Sequence, residues 1–142
     1  MKFDYIQWAI LLAVFVPTVI MDIKELKICL WPVFCGIAAG ILNTVFTGMP
    51  TISEYLLRFL PGIAILTWAY LTKGCMGKGD GLMLLFLGSV VELKYVFSAM
   101  LAGFILAALY GLVKMALKKA TGKTKLPFIP FLFAGVSICG FL

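Results

Sequence analysis

Hydrophobic residues fall in six runs along the chain, separated by short polar or glycine-rich connections. The first, Tyr5 to Met21, has about the length of a membrane-crossing helix, and Pro17 inside it predicts a bend. It closes on the polar segment Asp22 to Lys27. The second run, Ile28 to about Phe46, holds Pro32 and the pair Gly36 and Gly40, whose small-xxx-small spacing predicts close helix packing. A turn-rich connection, residues 47–54, leads to a third run, Tyr55 to Thr72, interrupted by Arg58 and by Pro61-Gly62. Lys73 to Asp80 is the densest cluster of glycine and charge between runs. The fourth run, Gly81 to Val91, is too short to cross a bilayer straight at about 1.5 Å per residue. Either the helix continues, with Glu92 and Lys94 reaching the far interface, or the bilayer thins around it. The fifth run extends from Tyr95 to about Leu117, and a basic loop with Lys118, Lys119, Lys123 and Lys125 follows. The sixth, Leu126 to Leu142, begins with Pro127 and Pro130. This pattern predicts an all-α integral membrane protein, a single polytopic domain over residues 1–142 with six transmembrane helices.

Composition agrees. The 142 residues are 63% hydrophobic and 13% charged, with a mean hydropathy of +1.12, whereas soluble domains average about 45–50% apolar and about 25% charged. Six spans of about 20 residues leave no room for a large extramembrane catalytic insert. The chain has no histidine, which removes His acid–base chemistry, Ser–His pairs and imidazole metal ligands. Its carboxylates are Asp4, Asp22, Glu25, Glu54, Asp80 and Glu92. The four cysteines, Cys29, Cys35, Cys75 and Cys139, form no CxxC pair. They read as small apolar residues, with Cys75 as a loop thiol, so no metal site and no cofactor are expected.

The net charge of +6 is spread between apolar runs, a pattern of membrane orientation rather than of nucleic-acid binding. Nine lysines lie in segments 22–27, 73–79 and 114–125, against Lys2, Arg58 and Lys94 on the alternate side. The positive-inside rule then places the first set in the cytoplasm and both termini outside. The first run follows one Lys and lacks a small-residue cleavage site, so it is expected to remain as a span.

The same sorting puts Asp22 and Asp80 on one membrane face, at the end of the first span and the start of the fourth. Either could be structural, Asp80 as a helix N-cap and Asp22 as a span end facing water. Two carboxylates at one edge also suit chemistry. Sharing one proton, one can deprotonate a water while the other protonates a scissile carbonyl oxygen, which hydrolyses a peptide without His, Ser or metal. Like charges about 3 Å apart do not both ionise, so such a pair titrates as a unit. Gly77 and Gly79, just before Asp80, allow a tight turn or the close approach of an extended substrate.

At this point the residues resemble a known family, the type IV prepilin peptidases, membrane aspartyl proteases of the GxGD kind. Asp22-Ile-Lys-Glu-Leu-Lys-Ile28 resembles the family's first aspartate with its basic stretch and aliphatic residue. Gly77-Lys-Gly-Asp80, running through a leucine-rich helix to Leu87-Gly88, is similar to the GxGD segment, and Leu126 to Gly135 resembles the Pro-Phe-x-Pro-Phe start of the last span. Cys29 and Leu30 stand where many members have Pro-Asn, and Leu82 replaces a common Lys; these departures bear on substrate preference. The cytoplasmic domain with paired CxxC motifs found in long bacterial members is absent. The chain looks more like the short enzymes of tight-adherence pili or the archaeal preflagellin peptidases.

The resemblance implies an aspartic endopeptidase, without methyltransferase activity, with Asp22 and Asp80 catalytic. Its substrate would be a prepilin or archaellin-like precursor, a short basic leader followed by a hydrophobic helix, cut after a glycine at the cytoplasmic face. Gly77 and Gly79 would support the site. Lys24, Lys27, Lys73 and Lys78 flank the pair; they read as orientation signals, or alternatively as groups that tune the aspartates or bind lipid phosphates. Glu25 is the better contact for a basic leader. The competing expectations are a proton-coupled transporter or non-catalytic scaffold, supported by the embedded aspartate pair, which could equally relay protons, and by the Arg58–Glu92 group near the opposite face, and a presenilin-like protease that cuts inside a span.

Overall fold

The computed structural model describes residues 3–73, 77–119, 121 and 125–142; Lys2, Cys75 and Lys123, named above, lie outside them. Its elements are α1 (Tyr5–Glu25), α2 (Leu30–Thr47), α3 (Ile52–Leu57), α4 (Leu60–Leu71), α5 (Lys78–Val90), α6 (Leu93–Ala116) and α7 (Ile129–Phe141). No strand occurs among the described residues. A helix pairs its own backbone groups, which a chain this apolar requires when lipid replaces water. α1, α2 and α6 are long and apolar enough to cross a membrane. Their outer faces expose large apolar side chains such as Ile20, Leu42, Phe46, Leu101, Ile105 and Leu112. A surface of that kind belongs in lipid, and the chain is an all-helical membrane protein.

Among the described residues the six runs become seven helices, because the third divides. Pro61 has no N–H to continue the ladder and sits in the first turn of α4. Ahead of it, Arg58 and Phe59 close α3 with tighter bonds to Tyr55 and Leu56, at 3.2 and 3.1 Å. α1, by contrast, runs on through Pro17. It stops at Leu26, which takes the left-handed conformation (φ 52°, ψ 30°) and returns its N–H to the Asp22 carbonyl at 3.0 Å. α2 begins four residues later, so Ile28 lies in a tight connection beside the end of α1.

α5 is the centre of the bundle. Met83, Leu84, Phe86, Leu87 and Val90 are buried, and α5 packs against α1, α2, α4 and α6. Gly36 and Gly40 of α2 let that contact form: a methyl group at Gly36 would lie 2.7 Å from the Phe86 ring, and one at Gly40 would lie 2.8 Å from Val90. Tertiary packing therefore uses the small-xxx-small spacing as expected. The helix does not continue into Glu92 and Lys94. It ends at Val90, Glu92 caps α6, and the exposed Lys94 ammonium pairs with Glu92 at 3.1 Å. Because α5 is sheathed by protein, its short length needs no lipid to match it. Arg58 lies over the Tyr55 ring at 5.5 Å, and among the described residues the ion pair of Glu92 is with Lys94.

α7 lies along α6 and touches α1. At Gly103 and Gly135 the backbones approach closely: a methyl at Gly103 would stand 3.1 Å from the Leu132 Cα, and one at Gly135 would stand 2.6 Å from the Ala99 carbonyl oxygen. Phe133 packs against Phe15 of α1 with ring centroids 5.2 Å apart, and Phe141 against Trp8 at 5.3 Å.

Candidate active site

Asp22 occupies the last turn of α1, and its side chain is 6% exposed. That end of a helix presents unpaired carbonyls and a partial negative charge, the unfavourable end for a carboxylate. The opposing donor comes from elsewhere. Oδ2 of Asp22 accepts the main-chain N–H of Ile129, at the start of α7, at 3.2 Å. Thr18, one turn earlier, is fully buried but donates its hydroxyl to the Val14 carbonyl at 2.6 Å.

Asp80 is not the N-cap of its helix, as its position before an apolar run suggested. The cap is Gly77, and Asp80 is the third helical residue, its N–H bonded to the Gly77 carbonyl at 3.1 Å. Its carboxylate folds back to accept the Gly77 N–H, the reach of the third residue in a capping box. An acid in a first turn also meets the positive end of the helix. The charge of Asp22 is felt at Asp80, so the two carboxylates share one neighbourhood. Residues 58 positions apart in sequence are thus brought into one region, at the end of α1 and the start of α5.

The two glycines before Asp80 serve this geometry. A methyl at Gly77 would lie 2.9 Å from Oδ2 of Asp80, in the space the folded-back carboxylate uses. A methyl at Gly79 would overlap the Ile28 side chain outright. Gly79 is therefore packed closely against the protein's own α1–α2 connection.

Lys24, Glu25, Lys27, Lys73 and Lys78 are all exposed or half-buried at the surface. Lys78 places its ammonium 4.7 Å over the Tyr70 ring, and among the described residues the ion pair is Lys94 with Glu92, so none of these lysines pairs with an aspartate. Sequence reasoning singled out the flanking charges, named Ile28 only as the aliphatic end of the first motif, and missed Ile129. A signal for Ile129 was present: Pro130 follows it and has no donor, which leaves the residue before it to supply one. Among the described residues no group of three or more Cys, Asp and Glu side chains comes together.

A pair of carboxylates in this setting, each held by one main-chain donor, can activate a water between them. Comparison with curated proteins and with solved structures returned no match. The family model described as the type IV leader peptidase family matches residues 9–112, a stretch that contains both aspartates and all of α2 to α5. With that much of the bundle and both acidic positions inside the match, the chain belongs to the type IV leader peptidase family, whose members are peptidases.

Proposed function

We propose that this membrane peptidase is an aspartic endopeptidase that removes the short basic leader of prepilin or archaellin-like precursors, cutting after a glycine at the cytoplasmic face. The observation that supports it most is the approach of Asp22 and Asp80 at adjoining helix ends. Asp22, Asp80 and one water suffice for the chemistry. One carboxylate takes a proton from water, and the water oxygen bonds to the scissile carbonyl carbon. The other carboxyl gives its proton to the carbonyl oxygen. The tetrahedral species then collapses: its C–N bond breaks, the nitrogen leaves with the proton first taken from water, and one hydroxyl returns its proton to the second carboxylate as the C=O bond re-forms. Asp4, Glu54 and Glu92 sort to the other face and do not join the pair.

The substrate's hydrophobic helix lies in the bilayer beside the spans, and its leader junction then falls at the interface where α1 ends and α5 starts. Six crossings with nine of the twelve basic residues inside give the cytoplasmic orientation and put both termini outside. The absence of any CxxC pair in the sequence agrees with cleavage alone, without N-methylation. Glu25, exposed one turn beyond Asp22, is placed to meet the basic leader.

The test is the purified chain in detergent with a synthetic precursor carrying a basic leader, a glycine junction and an apolar helix. Mass spectrometry is expected to find one cut, after the glycine. A cut within the apolar helix assigns the chain to presenilin-like proteolysis instead, and an uncut substrate leaves the transporter or scaffold reading.

A further inference from the structure

We propose that the main-chain N–H of Ile129 is a positioning group for peptide hydrolysis: the first turn of α7 grips Asp22 by Oδ2 and leaves Oδ1 to meet the water held with Asp80. The inference rests on the aspartic peptidase reading above, and it concerns a part of the chain beyond the matched region 9–112.

The donors at the start of α7 make the case. The first three helical residues are Ile129, Pro130 and Phe131. Pro130 has no N–H, and the N–H groups of Phe131 and Leu132 both return to the Phe128 carbonyl at 3.0 Å. The Ile129 N–H is the donor left over, and it is spent on Asp22 at 3.2 Å inside a buried setting. Asp22 needs it more than an ordinary carboxylate does, because it stands at the negative end of α1, and the start of α7 supplies the positive end of another helix.

The grip is firm because α7 is held along its length. Ile129 itself is fully buried. Phe128 stacks on Phe104 of α6 with centroids 4.9 Å apart, Gly135 closes on the Ala99 carbonyl, and Phe133 meets Phe15 of α1. The donor and its acceptor are thus fixed to one another by the bundle, and Asp22 is denied the alternative rotamers an exposed carboxylate samples. Preorganisation of this kind raises kcat and leaves substrate affinity alone.

The experiment removes the N–H, and a control accounts for the weaker Phe128 carbonyl that accepts from Phe131 and Leu132. Isoleucine at 129 is replaced by its 2-hydroxy acid through nonsense suppression, which turns the Phe128–Ile129 amide into an ester in the full-length chain, assayed in detergent with the synthetic precursor. An equivalent ester at Leu132 removes the neighbouring N–H to the Phe128 carbonyl and controls for loosening of the first turn. The expected result is a kcat about tenfold lower for the ester at 129, from loss of a hydrogen bond to a charged group, with KM unchanged within about twofold. The ester at 132 should keep kcat within about twofold of the unmodified chain. Full kcat in the ester at 129, or equal losses in both esters, overturns the inference. If the unmodified chain itself leaves the precursor uncut, the peptidase reading falls and this inference falls with it. Normal cleavage by the unmodified chain together with full kcat in the ester at 129 overturns the role of Ile129 alone.

Discussion

Asp22 and Asp80 share one neighbourhood but are held in opposite ways. Asp80 is served locally: it lies in the first turn of α5, meets the positive end of its own helix, and takes the N–H of Gly77 three residues back. Asp22 lies at the wrong end of α1 and draws its donor from Ile129, 107 positions away, across the whole bundle. One carboxylate is a property of a short segment, the other a property of the fold. Disturbances far from the chemistry should therefore reach Asp22 sooner than Asp80.

The largest effect expected is the one that abolishes the contrast. Asp22→Asn and Asp80→Asn each keep size and lose the shared proton, so leader removal should fall by about 10²-fold to 10⁴-fold or beyond detection, while both proteins still accumulate in the membrane. Cleavage at near-normal rates by either variant would remove that residue from the chemistry. Next in size is Gly79→Ala, whose methyl meets Ile28. Overpacking there should cost about 1–3 kcal/mol, read as a lower unfolding midpoint in detergent, and Ile28→Ala in the same chain should recover part of it.

The comparison sharpens with one glycine on each side. Gly77→Ala crowds Oδ2 of Asp80 directly, so kcat should drop about tenfold while the unfolding midpoint barely moves. Gly135→Ala presses on the Ala99 carbonyl and pushes α7 from α6, so kcat and midpoint should fall together. If Gly135→Ala changes stability alone, Asp22 does not depend on the seating of α7. The smallest effect belongs to Glu92→Gln: its pair with Lys94 is an exposed contact at the opposite end of α5, and both cleavage and accumulation should stay at the unmodified level.

How much could be read in advance follows the same division. The apolar runs announced the helices, because apolar length alone decides what lipid will accept, and Gly36 and Gly40 announced the contact of α2 with α5. The break at Pro61 was visible as an interruption, yet two helices in place of one required the tighter turns at Arg58 and Phe59, which no periodicity encodes. Asp80 with its glycines was legible as a constellation because its support is local, although its place as third helical residue rather than cap was not. The packing partner of Gly79 was not legible, since Ile28 reaches it only after α1 turns back at Leu26. Ile129 was harder to read: Pro130 after it hints at a spare donor, but no residue type shows that the acceptor is Asp22, at the far end of the sequence.

Beneath all of this lies the meeting of positions 22 and 80 on one face of the membrane. A chain with Asp22→Cys and Asp80→Cys, and with Cys29, Cys35, Cys75 and Cys139 replaced by serine, tests it in intact membranes. Mild oxidation is expected to link the two introduced thiols, and a membrane-impermeant reagent is expected to reach both from the same side. Labelling from opposite sides, with no link formed, would contradict it.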